Sequence, residues 1–116
     1  MSTDLAGSLE MITRVVGVRG AMVVSADEGL VVAESSMEGI DGSAVAALTA
    51  GVVSRLTRAT EAAGRTPPAF VHLQADGGAL LAVPAAGDLL VVAVTDPTVN
   101  VGLVRLELRR MAEQLA

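Results

Sequence analysis

His72 is the only histidine in the 116 residues, and there is no cysteine. Thiol catalysis, thiolate metal sites and disulfides are therefore excluded, and one imidazole is left as a candidate base or ligand. His72 lies in the run Phe70-Val-His-Leu-Gln74, whose alternation places Phe70, His72 and Gln74 on one face of a strand. A general base or a metal ligand needs polar partners beside it, and a lone histidine on such a face is more often structural. The thirteen Asp and Glu residues are scattered over turns and helix surfaces. Asp27-Glu28 looks like a cation site, but it lacks the spaced oxygen ligands of a calcium loop and reads as a solvated turn. Arg55 and Arg58 stand three apart, Arg105 and Arg109 four apart. Such pairs suit partner recognition, although solvated helix flanks are their commoner role. No Ser-His-Asp arrangement, GxGxxG or P-loop pattern is present. The expectation is no catalytic residue, no cofactor and no metal.

Composition narrows the class further. Hydrophobic residues make up 52% of the chain and charged ones 18%, which argues against disorder. Phe70 is the only aromatic, so the core must be built from Val, Leu, Ala and Met. The net charge is −5 and every side-chain cation is an arginine. A nucleic-acid binder needs a basic patch with stacking aromatics, and neither is legible here. The start Met1-Ser-Thr-Asp4 lacks the basic and apolar regions of a signal peptide. The most apolar window, Ala79 to Val94, is interrupted by Pro84 and Gly87-Asp88 and is too short to span a bilayer. A cytoplasmic protein that inserts in no membrane is expected, folded as one domain over residues 1–116.

The elements follow from spacing and turn residues. Leu5, Leu9, Ile12 and Val16 recur at helical intervals, giving a first helix from Thr3 to Val16 that ends at Gly17. Met22–Ser25 and Leu30–Ala33 form a hairpin closed around Asp27 and Gly29. Both strands are mostly apolar on both faces, so cover is needed on two sides. A second helix runs from an N-cap at Asp41 or Ser43 to Ala63, with Gly64 just past its end. Val45, Leu48, Val52, Leu56, Ala59 and Ala63 are expected to face the sheet. The opposite face carries Ala47, Ala50, Gly51 and Ser54, small residues that let a second backbone approach. Three strands then form a meander at Phe70–Gln74, Ala79–Val83 and Leu89–Thr95, and Asp96-Pro97 stops the last. Asn100 caps a third helix with a seam of Val101, Val104, Leu108, Met111 and Leu115. The order is α-β-β-α-β-β-β-α, an α/β domain.

Three segments together resemble the roadblock (dynein light chain) family. They are Gly20-Ala-Met-Val-Val-Ser with Asp-Glu-Gly-Leu-Val-Val-Ala33, the small-residue second helix, and the closing run Asp88 to Leu108 with its Asp-Pro and Gly-Leu elements. The resemblance covers Leu5 to Leu115, with Glu28 inserted where the family often has Asp-Gly directly. It implies a five-stranded antiparallel sheet with helix two on one face and helices one and three on the other. It also implies a homodimer in which helix two, through Ala47, Ala50, Gly51 and Ser54, and strand Phe70–Gln74 meet their own copies. Phe70, His72 and Gln74 would then line an edge that is an aggregation liability unless paired.

What the resemblance implies for function is a non-catalytic partner of other proteins. Members include dynein subunits, lysosomal scaffolds for Ras-like GTPases and bacterial regulators of a small Ras-like GTPase, the MglB type, which this chain looks most like. It ends without the extra C-terminal segment of some bacterial members, so a partner contact made by such a tail is not expected. The leading expectation is a homodimeric regulator or scaffold of a small Ras-like GTPase, with Arg55 and Arg58 as possible GTPase contacts. A purely structural dimerisation subunit and a small-molecule sensor are the alternatives.

Overall fold

The computed structural model describes residues 4–115. Its element order is α1 (Leu5–Thr13), β1 (Val18–Ser25), β2 (Val31–Ser35), α2 (Gly42–Ala62), β3 (Val71–Ala75), β4 (Gly78–Ala85), β5 (Leu89–Thr95) and α3 (Val101–Gln114). The strands form one antiparallel sheet in the order β2-β1-β5-β4-β3. On one face, Ala21, Val23, Leu81, Val83, Val91 and Ala93 pack with Leu9 and Ile12 of α1 and with Val104, Leu108 and Met111 of α3. On the other, Met22, Val24, Ala82, Leu90 and Val92 pack with Ala46, Ala50 and Val53 of α2. The expected roadblock layering is therefore observed. None of the described helices is long and apolar enough to cross a membrane.

Helix ends are set by three side-chain caps. Asp4 accepts the Gly7 N–H at 2.9 Å, Asp41 the Ala44 N–H at 3.1 Å, and Asn100 the Leu103 N–H at 3.1 Å. Each satisfies a donor that the first turn would otherwise leave orphaned. Asp41, not Ser43, is thus the cap of α2. The first helix is shorter than its spacing suggested: it ends at Thr13, and Val16 is 90% exposed and leaves the seam. The chain turns there, with Val15 half-buried against the core instead. The expected start at Thr3 lies outside the described residues.

The first hairpin is also less symmetric than expected. β1 is buried from Gly20 to Val24, but β2 is an edge strand whose residues are only half-covered or exposed. Its register steps from Val23↔Ala33 to Val24↔Val31, which leaves Val32 unpaired as a bulge. The bulge turns Val31 towards α2 and Ala33 towards α1, while Val32 points to solvent. At the loop, Gly29 has φ +67, and a Cβ there would stand 3.1 Å from the Cα of Ala47. The hairpin loop and α2 therefore approach backbone to backbone.

In β4, Pro84 stands beyond the end of the β3 pairing. The ladder with β3 begins at Val71↔Ala82, whereas that with β5 continues to Ala85↔Leu89. A proline has no N–H to offer, so β4 tolerates it only where one side is unpaired. At the other end of β4, Gly78 has φ +147, and a Cβ would run into the carbonyl oxygen of Thr95. Gly78→Ala combines backbone strain with a clash against an immobile carbonyl. It should cost roughly 3 kcal/mol in urea-induced unfolding, whereas Gly77→Ala, with open space around it, should cost far less.

Candidate functional site

Two surfaces stand out, the outer side of α2 and the β3 edge of the sheet. The helix is rotated from its expected orientation. Its buried residues are Ala46, Thr49, Ala50 and Val53, with Val45 and Leu56 half-covered. Leu48, expected to cover the sheet, is 71% exposed, and Ala59 and Ala63 are exposed too. Ala50 is corrected in the opposite sense. It is 5% exposed and belongs to the core under the helix, so it is not part of the outer face. Ala47, Gly51 and Ser54 do lie outside, joined by Leu48, Arg55 and Arg58. Nothing stands within 4 Å of the position a Gly51 Cβ would occupy. No contact inside this chain requires a glycine there, although glycine costs a helix about 1 kcal/mol relative to alanine.

β3 closes one edge of the sheet and is bonded to β4 alone. Its pairing is regular from Val71↔Ala82 to Ala75↔Gly78, without a bulge. Val71 is buried under α2, while His72, Leu73 and Gln74 are exposed. Leu73 is on the α2 face of the sheet, where it lines an open apolar groove with Leu80 and Val94. Phe70 departs from the expected edge. It precedes the strand and packs half-buried on the α3 side, with the Arg105 guanidinium 4.8 Å from its ring centroid. The His72 ring lies 6.3 Å from the same ring, tilted by 50°. A guanidinium over an exposed ring face is worth about 0.5–1 kcal/mol.

The carboxylates and arginines of the described residues are spread over turns and helix surfaces. Among the described residues, no group of three or more His, Asp and Glu side chains could hold a metal ion. Asp27 and Glu28 are exposed in the hairpin loop. There the Asp27 N–H donates to the Asp88 carboxylate at 2.9 Å, and the Ala26 N–H donates to the Asp88 carbonyl at the same distance. Asp88, in the left-handed region at φ +62, thus ties the β4–β5 turn to the β1–β2 turn. Arg58 borders a surface hollow beside Asp27 and Asp88. Arg55 and Arg58 are both exposed on α2, and the ion pairs among the described residues are Arg19–Asp96 and Arg110–Glu107. Sequence reasoning missed two residues here. Leu48 and Leu73 were hidden because an apolar residue in an amphipathic run is assigned to the core by default.

The Roadblock/LC7 domain model matches residues 8–95. The chain belongs to this family. It is 32% identical over 104 residues to the uncharacterized protein MJ0714 of Methanocaldococcus jannaschii, covering 90% of this chain and 86% of that protein. Among solved structures, Myxococcus xanthus MglB superposes with a TM-score of 0.87 at 19% identity, over 97% of this chain and 92% of that one. The gliding protein MglB from Thermus thermophilus gives 0.84 at 25% identity, over 95% and 84%. The likeness to the Myxococcus protein is one of fold. In this roadblock domain, Glu28 stands exposed in the first hairpin loop. The Asp88 clasp is what anchors that loop. Asp88→Ala should lower stability by about 1–2 kcal/mol, losing a bond to a backbone N–H and placing alanine at positive φ. Asp88→Asn should lose less, because an amide oxygen still accepts and asparagine tolerates that conformation. Thermal unfolding of the two variants would rank them.

Proposed function

We infer that this roadblock domain is a homodimeric, non-catalytic regulator or scaffold that binds a small Ras-like GTPase in the cytoplasm and needs no cofactor. The observation that carries the dimer is the contrast between the two sheet edges. β2 is bulged at Val32 and carries Glu34, both of which discourage a further strand. β3 is regular, has no carboxylate or arginine, and presents Leu73 at 42% exposure. On the same side of the sheet, α2 offers exposed Leu48, with Ala47 and Ser54 beside an unobstructed Gly51 along the β1–β2 loop. Two antiparallel copies of β3 can meet on a two-fold axis through backbone bonds, extending five strands to ten. The two α2 helices would pack above that seam. His72 and Gln74 would line its opposite face, and Phe70 would stay with Arg105.

Family membership and the likeness to MglB support the GTPase partner. A layer of two α2 helices, with Arg55 and Arg58 exposed on it, would form the docking platform. Regulation would require unequal affinity for the two nucleotide states of the partner. The arginines are expected to act as contacts and not as a finger inserted into the nucleotide site.

Sedimentation equilibrium tests the dimer first. The wild type should be dimeric at roughly tens of micromolar, since a stable dimer needs at least about 8 kcal/mol of binding. Gly51→Leu should yield folded monomer, and Gly51→Ala should stay dimeric with stability unchanged or raised by up to about 1 kcal/mol. A monomeric wild type would remove this architecture. Pull-down from the native host with GDP and with a non-hydrolysable GTP analogue should recover a small GTPase preferentially in one nucleotide state. In single-turnover hydrolysis by that GTPase, Arg55→Ala and Arg58→Ala should leave any stimulation largely intact. A loss on the order of a thousandfold with binding preserved would instead identify an arginine finger.

A further inference from the structure

The sheet face opposite α2 carries a second surface, beside α3. Between the second half of α3 and the end of β4 lies a groove of about 400 Å³, lined by Ala69, Val83, Pro84, Ala85, Ala86, Arg109, Ala112 and Glu113. One wall is α3; the other is the end of β4 with Ala69. Arg105 stands one turn before Arg109 and stacks on Phe70, next in sequence to Ala69. Neither arginine has a carboxylate partner among the described residues, whereas Arg110 is taken up by Glu107 at 3.2 Å. In a chain of net charge −5, two exposed and unpaired guanidiniums beside an apolar groove are a local reversal of sign.

We propose that this groove binds an extended acidic peptide segment of a partner protein, with carboxylates at alternate positions and a small apolar residue between them. The spacing argues for that occupant. Residues four apart on a helix are separated by about 6 Å along its axis. Residues two apart on an extended chain lie about 6.6 Å apart and point the same way. Carboxylates at i and i+2 therefore meet Arg105 and Arg109, where guanidinium–carboxylate pairs form their forked hydrogen bonds. Residue i+1 points the opposite way, onto Ala69, Pro84 and Ala85. Pro84 has no N–H, so the segment is held by side chains and not by a continued β ladder. Glu113, at the far end of the groove, limits the acidic stretch by repelling a third carboxylate.

Panning a random linear peptide library displayed on phage against the wild-type protein tests this. Enriched sequences should show the acidic–apolar–acidic pattern. A synthetic copy of the dominant one should shift the amide resonances of Ala69, Ala85, Ala86 and Ala112. The Arg105→Ala/Arg109→Ala variant should bind that peptide at least roughly tenfold more weakly, and Arg105→Lys/Arg109→Lys should recover part of the loss. Glu113→Gln should bind it more tightly. Arg109→Ala alone leaves the Phe70 stack in place and should still weaken binding, which keeps the test decisive if the double variant loses its fold. Failure to enrich any peptide over the double alanine variant would overturn the proposal. So would enrichment of basic or uncharged sequences, or shifts confined to α2 and β3.

Discussion

Two strands buried on both faces, β1 and β5, are the constraint on which the rest of this structure depends. From Gly20 to Val24 and from Leu90 to Ala93 no side chain reaches water. A sheet centre of that kind is stable only with a helix layer on each side. With one aromatic in the chain, neither layer can be wedged apart by rings. The layers close on Ala, Val, Leu and Met, and backbones come near one another, as Gly29 does to Ala47. Close approach of this kind makes a core sensitive to added volume at a few positions while leaving its surface tolerant.

The edges of the same sheet are treated unequally, and that inequality gives the molecule its direction. At the β2 edge a bulge and a glutamate interrupt the row of free backbone groups. At the β3 edge, nothing interrupts it over Val71–Ala75. The α2 side exposes Leu48, Leu73, Arg55 and Arg58, and α3 exposes Leu103, Leu106, Arg105 and Arg109. Each side thus offers both apolar side chains and guanidiniums.

The sequence by itself determined the element order, the Asn100 cap, the choice of Asp41 or Ser43 ahead of α2, the turn positions and the need for apolar cover on both sheet faces. These follow from local rules: an Asp or Asn ahead of a periodic run, a proline or glycine between runs, and period-two or period-3.6 spacing. It also excluded thiol chemistry and disulfides, because the chain has no cysteine. Tertiary structure decided how α2 is rotated about its axis, so that Ala50 turns inward and Leu48 outward. In a helix rich in Ala and Val, apolar residues occur at almost every angle, and only contact with β1, β2 and the Gly29 loop selects the buried side. It likewise decided that Phe70 leaves the β3 edge to stack under Arg105, since residues 35 positions apart are brought together only by packing α3 across the sheet.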